Sequence, residues 1–143
     1  MPGSVTGATD LEELRALATQ AAQRAYAPYS KLNVGAALRS AGGTVYLGCN
    51  VENAAYPIGG CAERAAIAAA VHAEGADFHL EAIAVAAFDA TGRLLAISPC
   101  GACRQALVEF GAQARVSFHQ PDGSWSDVLA DDLLPWRFVL PPR

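Results

Sequence analysis

Basic residues are scarce in this sequence, and they are scattered singly along it. Lysine and arginine together number 10 against 14 aspartate and glutamate residues, which gives a formal net charge of −4. A protein that binds DNA or RNA through the phosphate backbone needs a basic stripe or patch. The sequence therefore argues against a nucleic-acid partner and favours a small, free substrate.

Long apolar runs are also missing, although 52% of the residues are hydrophobic. No stretch of about 18 uninterrupted apolar residues is present, so we expect no transmembrane helix and no membrane partner. The first ten residues lack the basic-then-apolar layout of a secretory signal peptide, and we expect a cytoplasmic protein. In that compartment the four cysteines fit reduced, metal-binding thiols better than disulfides.

The length of 143 residues suits one compact domain and is too short for two of ordinary size. We expect a single domain over residues 1–143, with the small and polar residues 1–9 loose. Apolar residues at helical spacing predict a first helix over residues 10–26, with Asp10 as its N-cap and Pro28 stopping it.

Apolar runs and turn residues predict the other elements. These are a β-hairpin of residues 34–39 and 45–49, helices at 61–74 and 101–110, strands at 80–88 and 114–118, a stretch at 94–98 that leads to the second cysteine motif, and a short helix or turn at 128–134. The order of elements predicts an α/β fold, a three-layer α/β/α domain with a mixed five-stranded sheet. The alanine-rich second helix is apolar almost all round, which indicates burial against another helix or subunit.

Two short stretches carry the chemistry. Cys61 is followed two residues later by Glu63, and Cys100 and Cys103 follow Pro99. This C-x-E…P-C-x-x-C spacing is the known pattern of zinc-dependent base deaminases. Each cysteine motif opens a predicted helix, where unpaired N–H groups and the positive dipole end favour the thiolate form.

Three cysteine ligands would leave the fourth tetrahedral position of a zinc ion open, as in catalytic rather than structural sites. Because residues two apart on a helix point to different sides, Glu63 is poorly placed to bind the metal beside Cys61. It is better placed to move protons on the substrate side. Two alternatives stay open: a redox pair formed by Cys100 and Cys103, and a closed structural zinc completed by Cys49.

Further motifs resemble the small, homotetrameric, zinc-dependent cytidine deaminases of pyrimidine salvage, a family of hydrolases. The resemblance covers nearly the whole chain. It rests on residues 29–30, 34–38, 48–54, 61–64, 99–105 and 133–135, together with Phe138.

The resemblance implies conversion of cytidine and 2′-deoxycytidine to uridine and 2′-deoxyuridine with release of ammonia. One zinc ion per subunit would be held by Cys61, Cys100 and Cys103. Glu63 would take a proton from the attacking water and pass it to N3 and then to the leaving amine.

Substrate contacts are also implied by the resemblance. Asn50 and Glu52 would hydrogen-bond the ribose, and the backbone at Ala62 would read the base edge. Three residues would contribute to sites completed across subunits of the homotetramer: Ala54, Tyr56 and Phe138. Arg64 and Arg104 would hydrogen-bond the thiolates and offset the negative charge of the site.

The sequence departs from the family pattern where specificity is set. Leu32 stands where an aromatic residue usually stacks on the pyrimidine, and the absence of the aromatic ring removes about 0.5–1.5 kcal/mol of stacking. Gly59 and Gly60 replace a bulkier pair, and Trp136 with Arg137 replaces small residues. These changes leave open a second hypothesis, the same reaction on another amino-base nucleoside such as a modified cytidine or a nucleoside antibiotic. A third hypothesis is a non-enzymatic interaction domain held by a structural zinc.

Overall fold

The structure is a computed structural model and describes residues 8–142. Its centre is a mixed sheet, whose strands are β1 Asn33–Ser40, β2 Val45–Cys49, β3 Leu80–Phe88, β4 Leu94–Leu95, β5 Arg115–Phe118 and β6 Val128–Leu129. The strand order is β2-β1-β3-β5-β6, and β4 pairs with β3 beside that path. The sheet therefore has six strands, and the expected number of five was wrong.

Strand β1 pairs antiparallel with both β2 and β3, whereas β3 and β5 are parallel and β5 pairs antiparallel with β6. The expected helix or turn at 128–134 is only partly correct, because a 3₁₀ helix covers Ala130–Leu133 while the first two residues of that stretch form β6. Ser126 explains the difference. Its hydroxyl accepts from the Phe118 N–H and donates to the Val116 carbonyl, which holds the 126–129 segment against β5.

Three helices cover the two faces of the sheet: α1 Ala8–Ala22, α2 Ala62–Glu74 and α3 Gly101–Gly111. Side chains alternate along β3. Ala82, Ala84 and Ala86 belong to the core cluster that contains the α1 leucines. Ile83 and Val85 belong to the larger core cluster that α2 and α3 complete. The predicted three-layer α/β/α arrangement is thus confirmed, and helices α2 and α3 share one face.

Both predicted ends of α1 were wrong. The helix begins at Ala8, so Asp10 lies inside it and not at its N-cap; residues 8 and 9 are helical, and residues 1–7 lie outside the described part of the chain. The helix ends at Ala22, well before Pro28. Tyr26 donates its N–H to the Asn50 carbonyl and accepts from the Glu52 N–H, and this pairing requires an extended backbone.

No helix in residues 8–142 is long and apolar enough to cross a membrane.

Candidate metal centre and active site

The three cysteines of the two motifs meet where helices α2 and α3 begin. Cys61 is the N-cap residue of α2, Cys100 is the N-cap residue of α3, and Cys103 lies buried in the first turn of α3. Their Sγ atoms all lie within 4.8 Å of one another. The cluster is a product of two helix N-termini that point at one place, as the sequence predicts.

The donor set fits a zinc ion. Zinc–sulfur bonds of about 2.3 Å in a tetrahedron place the sulfur atoms about 3.8 Å apart, which is compatible with the separation that the three thiols already have. Burial raises the pKa of Cys103, and the negative charges of Glu63 and Cys61 raise it further. Burial also opposes the Cys100 thiolate, but hydrogen bonds, chiefly from the Cys103 backbone N–H, outweigh it and lower the pKa of Cys100. A divalent cation would remove the mutual repulsion of three thiolates.

Cys49 does not belong to this cluster. In residues 8–142 the only group of three or more metal-binding side chains is the one formed by the motif cysteines. Cys49 is paired with Gly35 across β1 and β2, and paired residues point to the same face of a sheet. A Cβ at Gly35 would meet the Ala18 carbonyl and the Ala22 N of α1. Cys49 therefore faces the α1 layer, on the opposite side of the sheet from α2, which argues against a fourth cysteine ligand.

Glu63 is the second residue of α2, and only 4% of it is exposed. Burial raises the pKa of this carboxyl, against the opposing effects of its own backbone N–H, the Cys103 thiol and the charge of Arg64. A carboxyl with a raised pKa holds a proton more readily near neutral pH, which is what a group that receives and returns protons requires.

Gly48 sets the position of α2 relative to the sheet. A Cβ at this residue would lie 2.4 Å from the Ala62 carbonyl oxygen and 2.5 Å from the Ala66 N. Only a glycine lets β2 pack this closely against the first turn of α2. That turn carries Glu63 and follows Cys61, so the close approach places both motif residues.

A cavity of about 360 Å³ opens onto the metal centre. This volume is within the range of small-molecule sites. Its lining includes ten residues that the sequence singles out: Leu32, Asn50, Glu52, Tyr56, Gly59, Gly60, Cys61, Ala62, Glu63 and Cys100. The structure therefore brings the metal motif and the 50–52 segment into one site.

Asn50 and Glu52 hold the wall of this cavity through their side chains. The Asn50 amide donates to the Leu32 carbonyl at 2.8 Å and accepts from the Val34 N–H at 2.8 Å. The Glu52 carboxylate accepts from the N–H groups of Tyr29 and Ser30, at 3.0 and 3.1 Å, and from the Ser30 hydroxyl. Both side chains therefore fix the 29–34 segment, which includes Leu32.

Two predicted contact residues lie outside the cavity lining. Ala54 is exposed, and it lies in a turn where the Asn53 side-chain oxygen accepts a hydrogen bond from the Ala55 N–H. Phe138 is 68% exposed, and its carbonyl accepts from the Gln105 side chain on α3. Tyr56, in contrast, lines the cavity while 73% exposed, and its ring packs edge-on against Tyr29 at 5.8 Å.

The two motif arginines have different partners. Arg64 donates from Nη2 to the Cys61 Sγ at 3.8 Å, and this contact raises the pKa of its guanidinium. Arg104 donates instead to the Pro99 carbonyl, the Ser98 hydroxyl and the Leu133 carbonyl. Within the described residues no hydrogen bond joins Arg104 to a thiol, so the expected contact between Arg104 and the thiolates was wrong.

Sequence reasoning missed several lining residues. Val34 and Val85 face the cavity from neighbouring strands, and Ile97 and Ser98 from the segment before Pro99. For the strand residues the signal was available, because alternation along β3 puts Val85 on the α2 and α3 face. Ile97 and Ser98 lie in an irregular stretch that has no periodic pattern.

Comparisons with known proteins agree with this arrangement. The family model for the cytidine and deoxycytidylate deaminase zinc-binding region matches residues 8–120. The chain belongs to this family. A cytidine deaminase from Sporosarcina psychrophila is 50% identical over 130 residues, which cover 90% of this chain and 91% of that protein. One from Mycobacterium tuberculosis H37Rv is 44% identical over 110 residues, 77% of this chain and 78% of the relative.

Solved structures of family members share the fold. The cytidine deaminase of Burkholderia pseudomallei superimposes with a TM-score of 0.77 at 40% identity, covering 89% of this chain and 98% of that one. The Mycobacterium tuberculosis enzyme gives a TM-score of 0.73 at 41% identity, with 92% and 98% coverage. This family binds zinc, and the cluster of Cys61, Cys100 and Cys103 is where one zinc ion per subunit fits.

Proposed function

We propose that this protein is a zinc-dependent cytidine deaminase that converts cytidine and 2′-deoxycytidine to uridine and 2′-deoxyuridine with release of ammonia. The observation that carries the proposal is the meeting of three thiols, a buried carboxyl at Glu63 and the 50–52 segment around one cavity. Relatives named cytidine deaminase, up to 50% identical over most of the chain, support it.

Zinc bound to Cys61, Cys100 and Cys103 would supply a Lewis acid that lowers the pKa of a water molecule. Glu63 takes a proton from the attacking water and passes it to N3 of the base. It then transfers the second proton of that water to the leaving amine. The water oxygen becomes bonded to C4 and the C4–N4 bond breaks, so that ammonia leaves. Arg64, at 3.8 Å from Cys61 Sγ, offsets part of the thiolate charge that would otherwise oppose ionisation of the water.

Substrate binding follows from the cavity wall. Asn50 and Glu52 approach the ribose. Hydrogen bonds to the backbone of the 29–34 segment hold both side chains in one orientation, so the donors and acceptors that these bonds leave unused stay in place for the ribose hydroxyls. The backbone at Ala62, in the first turn of α2, reads the edge of the base. Leu32 supplies apolar contact where a ring would stack. The net charge of −4 disfavours a polynucleotide in the same site.

A second candidate function is the same reaction on another amino-base nucleoside. It is favoured by one observation, the position of Leu32 on the cavity wall. A leucine leaves no ring face against the pyrimidine, so a base with an apolar substituent could occupy the space. Turnover of a panel of modified cytidines beside cytidine itself distinguishes the two candidates by the ratio of kcat/KM values.

We propose further that residues 1–143 form a single deaminase domain that assembles into a homotetramer and serves pyrimidine salvage in the cytoplasm. The surface supports an assembly: Trp136 is fully exposed, and Phe138 and Leu140 are about 70% exposed. In a homotetramer Ala54, Tyr56 and Phe138 would contribute to sites shared between subunits. Sedimentation equilibrium of the zinc-loaded protein would report four chains.

The test compares the wild type with Glu63→Gln, using loss of cytidine absorbance and the zinc content of both proteins. General acid–base catalysis contributes about 10²–10⁴-fold, so we expect the variant to lose a factor in that range while its zinc content stays unchanged. Glu109→Gln, on the exposed face of α3, is the matched control and should keep wild-type turnover. Zinc-loaded wild type that leaves cytidine and 2′-deoxycytidine unchanged would refute the proposal.

A further inference from the structure

Arg104 lies one turn into α3, next to the buried Cys103, and it is half-buried. Its Nε donates to the Pro99 carbonyl at 2.7 Å, Nη2 to the Ser98 hydroxyl at 2.9 Å and Nη1 to the Leu133 carbonyl at 2.9 Å. Three of the five N–H donors of one planar group are therefore used, and their acceptors come from two separate parts of the chain.

The first part is the irregular stretch between β4 and α3. Ser98 and Cys100 both line the cavity, and the Pro99 carbonyl belongs to the peptide group directly before Cys100. Fixing that peptide group fixes the direction in which the Cys100 side chain leaves the backbone. The backbone N–H of Arg104 also donates to the Cys100 carbonyl at 2.9 Å. This is a backbone bond of the first turn of α3 and does not depend on the side chain at position 104, so the guanidinium acts on Cys100 through the Pro99 peptide group.

The second part is the end of the 3₁₀ helix Ala130–Leu133. Leu133 and its neighbour Leu134 pack against the larger core cluster. The bond from Arg104 to the Leu133 carbonyl therefore ties the 98–100 stretch to a segment that the core already holds. An irregular stretch becomes part of a rigid frame through one side chain.

We propose that Arg104 is a positioning residue, which sets the orientation of Cys100 and of the cavity wall at Ser98 without contacting substrate or metal. Its planar guanidinium suits three acceptors in fixed directions, whereas a lysine ammonium on a flexible stem does not. The effect on turnover rests on the proposed function, but the effect on metal retention does not.

The test compares Arg104→Lys with Arg39→Lys in the metal-loaded protein. Arg39 is a suitable control because it is 8% exposed and bonded to Glu81 at 2.8 Å, at the end of β1. Three readouts are used: the rate of zinc transfer to a chelator, the visible spectrum of the cobalt-substituted protein, and kcat and KM for cytidine.

Loss of partners that orient metal ligands costs about 10–100-fold in metal affinity or activity. For Arg104→Lys we expect zinc release faster by about 10-fold or more, an altered cobalt spectrum, and a loss of about 10–100-fold that falls mainly on kcat. For Arg39→Lys we expect all three readouts to match the wild type, even where its Tm falls.

Ser98→Ala provides a second variant that leaves Arg104 in place and removes one acceptor. Ser98→Ala should also speed zinc release, by a smaller factor than Arg104→Lys. Because the two residues share one hydrogen bond, the increase in release rate of the double variant should be smaller than the two single increases multiplied together. Unchanged zinc release and an unchanged cobalt spectrum in folded Arg104→Lys would overturn the proposal. Equal effects of Arg104→Lys and Arg39→Lys would overturn it as well. A wild type that binds zinc but does not deaminate cytidine would refute the proposed function, and the metal readouts would still decide the role of Arg104.

Discussion

Replacing Gly48 with alanine should disable the site while leaving the fold in place. The new Cβ would lie 2.4 Å from the Ala62 carbonyl oxygen, about 1 Å less than the 3.4 Å at which ordinary van der Waals contact begins. The obstructing atoms belong to the backbone of α2, so no side chain can turn aside. The first turn of α2 must therefore move by about 1 Å, and Glu63 and the Ala62 backbone must move with it.

A displacement of about 1 Å at reacting groups can cost about 10²-fold in rate. Overpacking of this kind costs about 1–3 kcal/mol of stability. We therefore expect Gly48→Ala to lose about 100-fold in kcat and to have a free energy of unfolding lower by about 1–3 kcal/mol. Chemical denaturation gives the stability, and steady-state kinetics on cytidine, normalised to the folded fraction, give the rate.

Gly111 offers a matched control, because a Cβ there would also lie 2.4 Å from a backbone carbonyl oxygen, that of Leu80. Gly111 ends α3, about eight residues and 12 Å of helix beyond Cys103. Gly111→Ala should therefore lose stability and keep its kcat. The reasoning is refuted if folded Gly48→Ala turns over at the wild-type rate, or if the two variants lose the same factor in kcat.

Two further predictions concern the metal and the cavity wall. Cys49→Ser should keep the full zinc content and activity because Cys49 faces α1, whereas Cys103→Ser should lose the metal; zinc loss from Cys49→Ser in elemental analysis would contradict this. Hydrogen bonds, chiefly from the Ser30 hydroxyl, lower the pKa of Glu52 below its ordinary value of 4.5. The contribution of the Glu52 carboxylate to stability is therefore complete above pH 4.5, and it is lost as the pH falls through the lower pKa of the folded state. The Tm difference between wild type and Glu52→Gln should thus be largest near neutral pH and shrink on acidification below the ordinary pKa, and a difference that grows on acidification would contradict the assignment.

Local patterns predicted much of this structure from the sequence. The bounds of β3 follow from a continuous apolar run, and the starts of α2 and α3 follow from the residues around each cysteine motif. Because the metal ligands sit at those starts, the cluster of Cys61, Cys100 and Cys103 was also predictable. The information for each of these features lies within a few neighbouring residues.

The errors share a different physical origin. The end of α1 is set by hydrogen bonds between Tyr26 and the 50–52 segment, more than twenty residues away. Strand β6 depends on the Ser126 hydroxyl bridging to β5, and the orientation of Arg104 depends on Leu133, 29 residues further along the chain. None of these partners leaves a periodic or local signal, so only the folded chain shows them.

The two halves of the metal centre are held by different kinds of contact, and this has consequences for how each half fails. Helix α2 is placed by steric packing on Gly48, and it carries Glu63 and the Ala62 backbone as well as following Cys61. The start of α3 is placed by the hydrogen bonds of Arg104, and it carries the metal ligands Cys100 and Cys103. A defect on the α2 side should therefore reduce the rate of the chemical step before the metal is lost, because it displaces only one of the three ligands, Cys61, while Cys100 and Cys103 stay in place. A defect on the α3 side should loosen the metal first and reduce turnover as a result. The order in which zinc release and kcat change thus identifies which half of the site a substitution has disturbed.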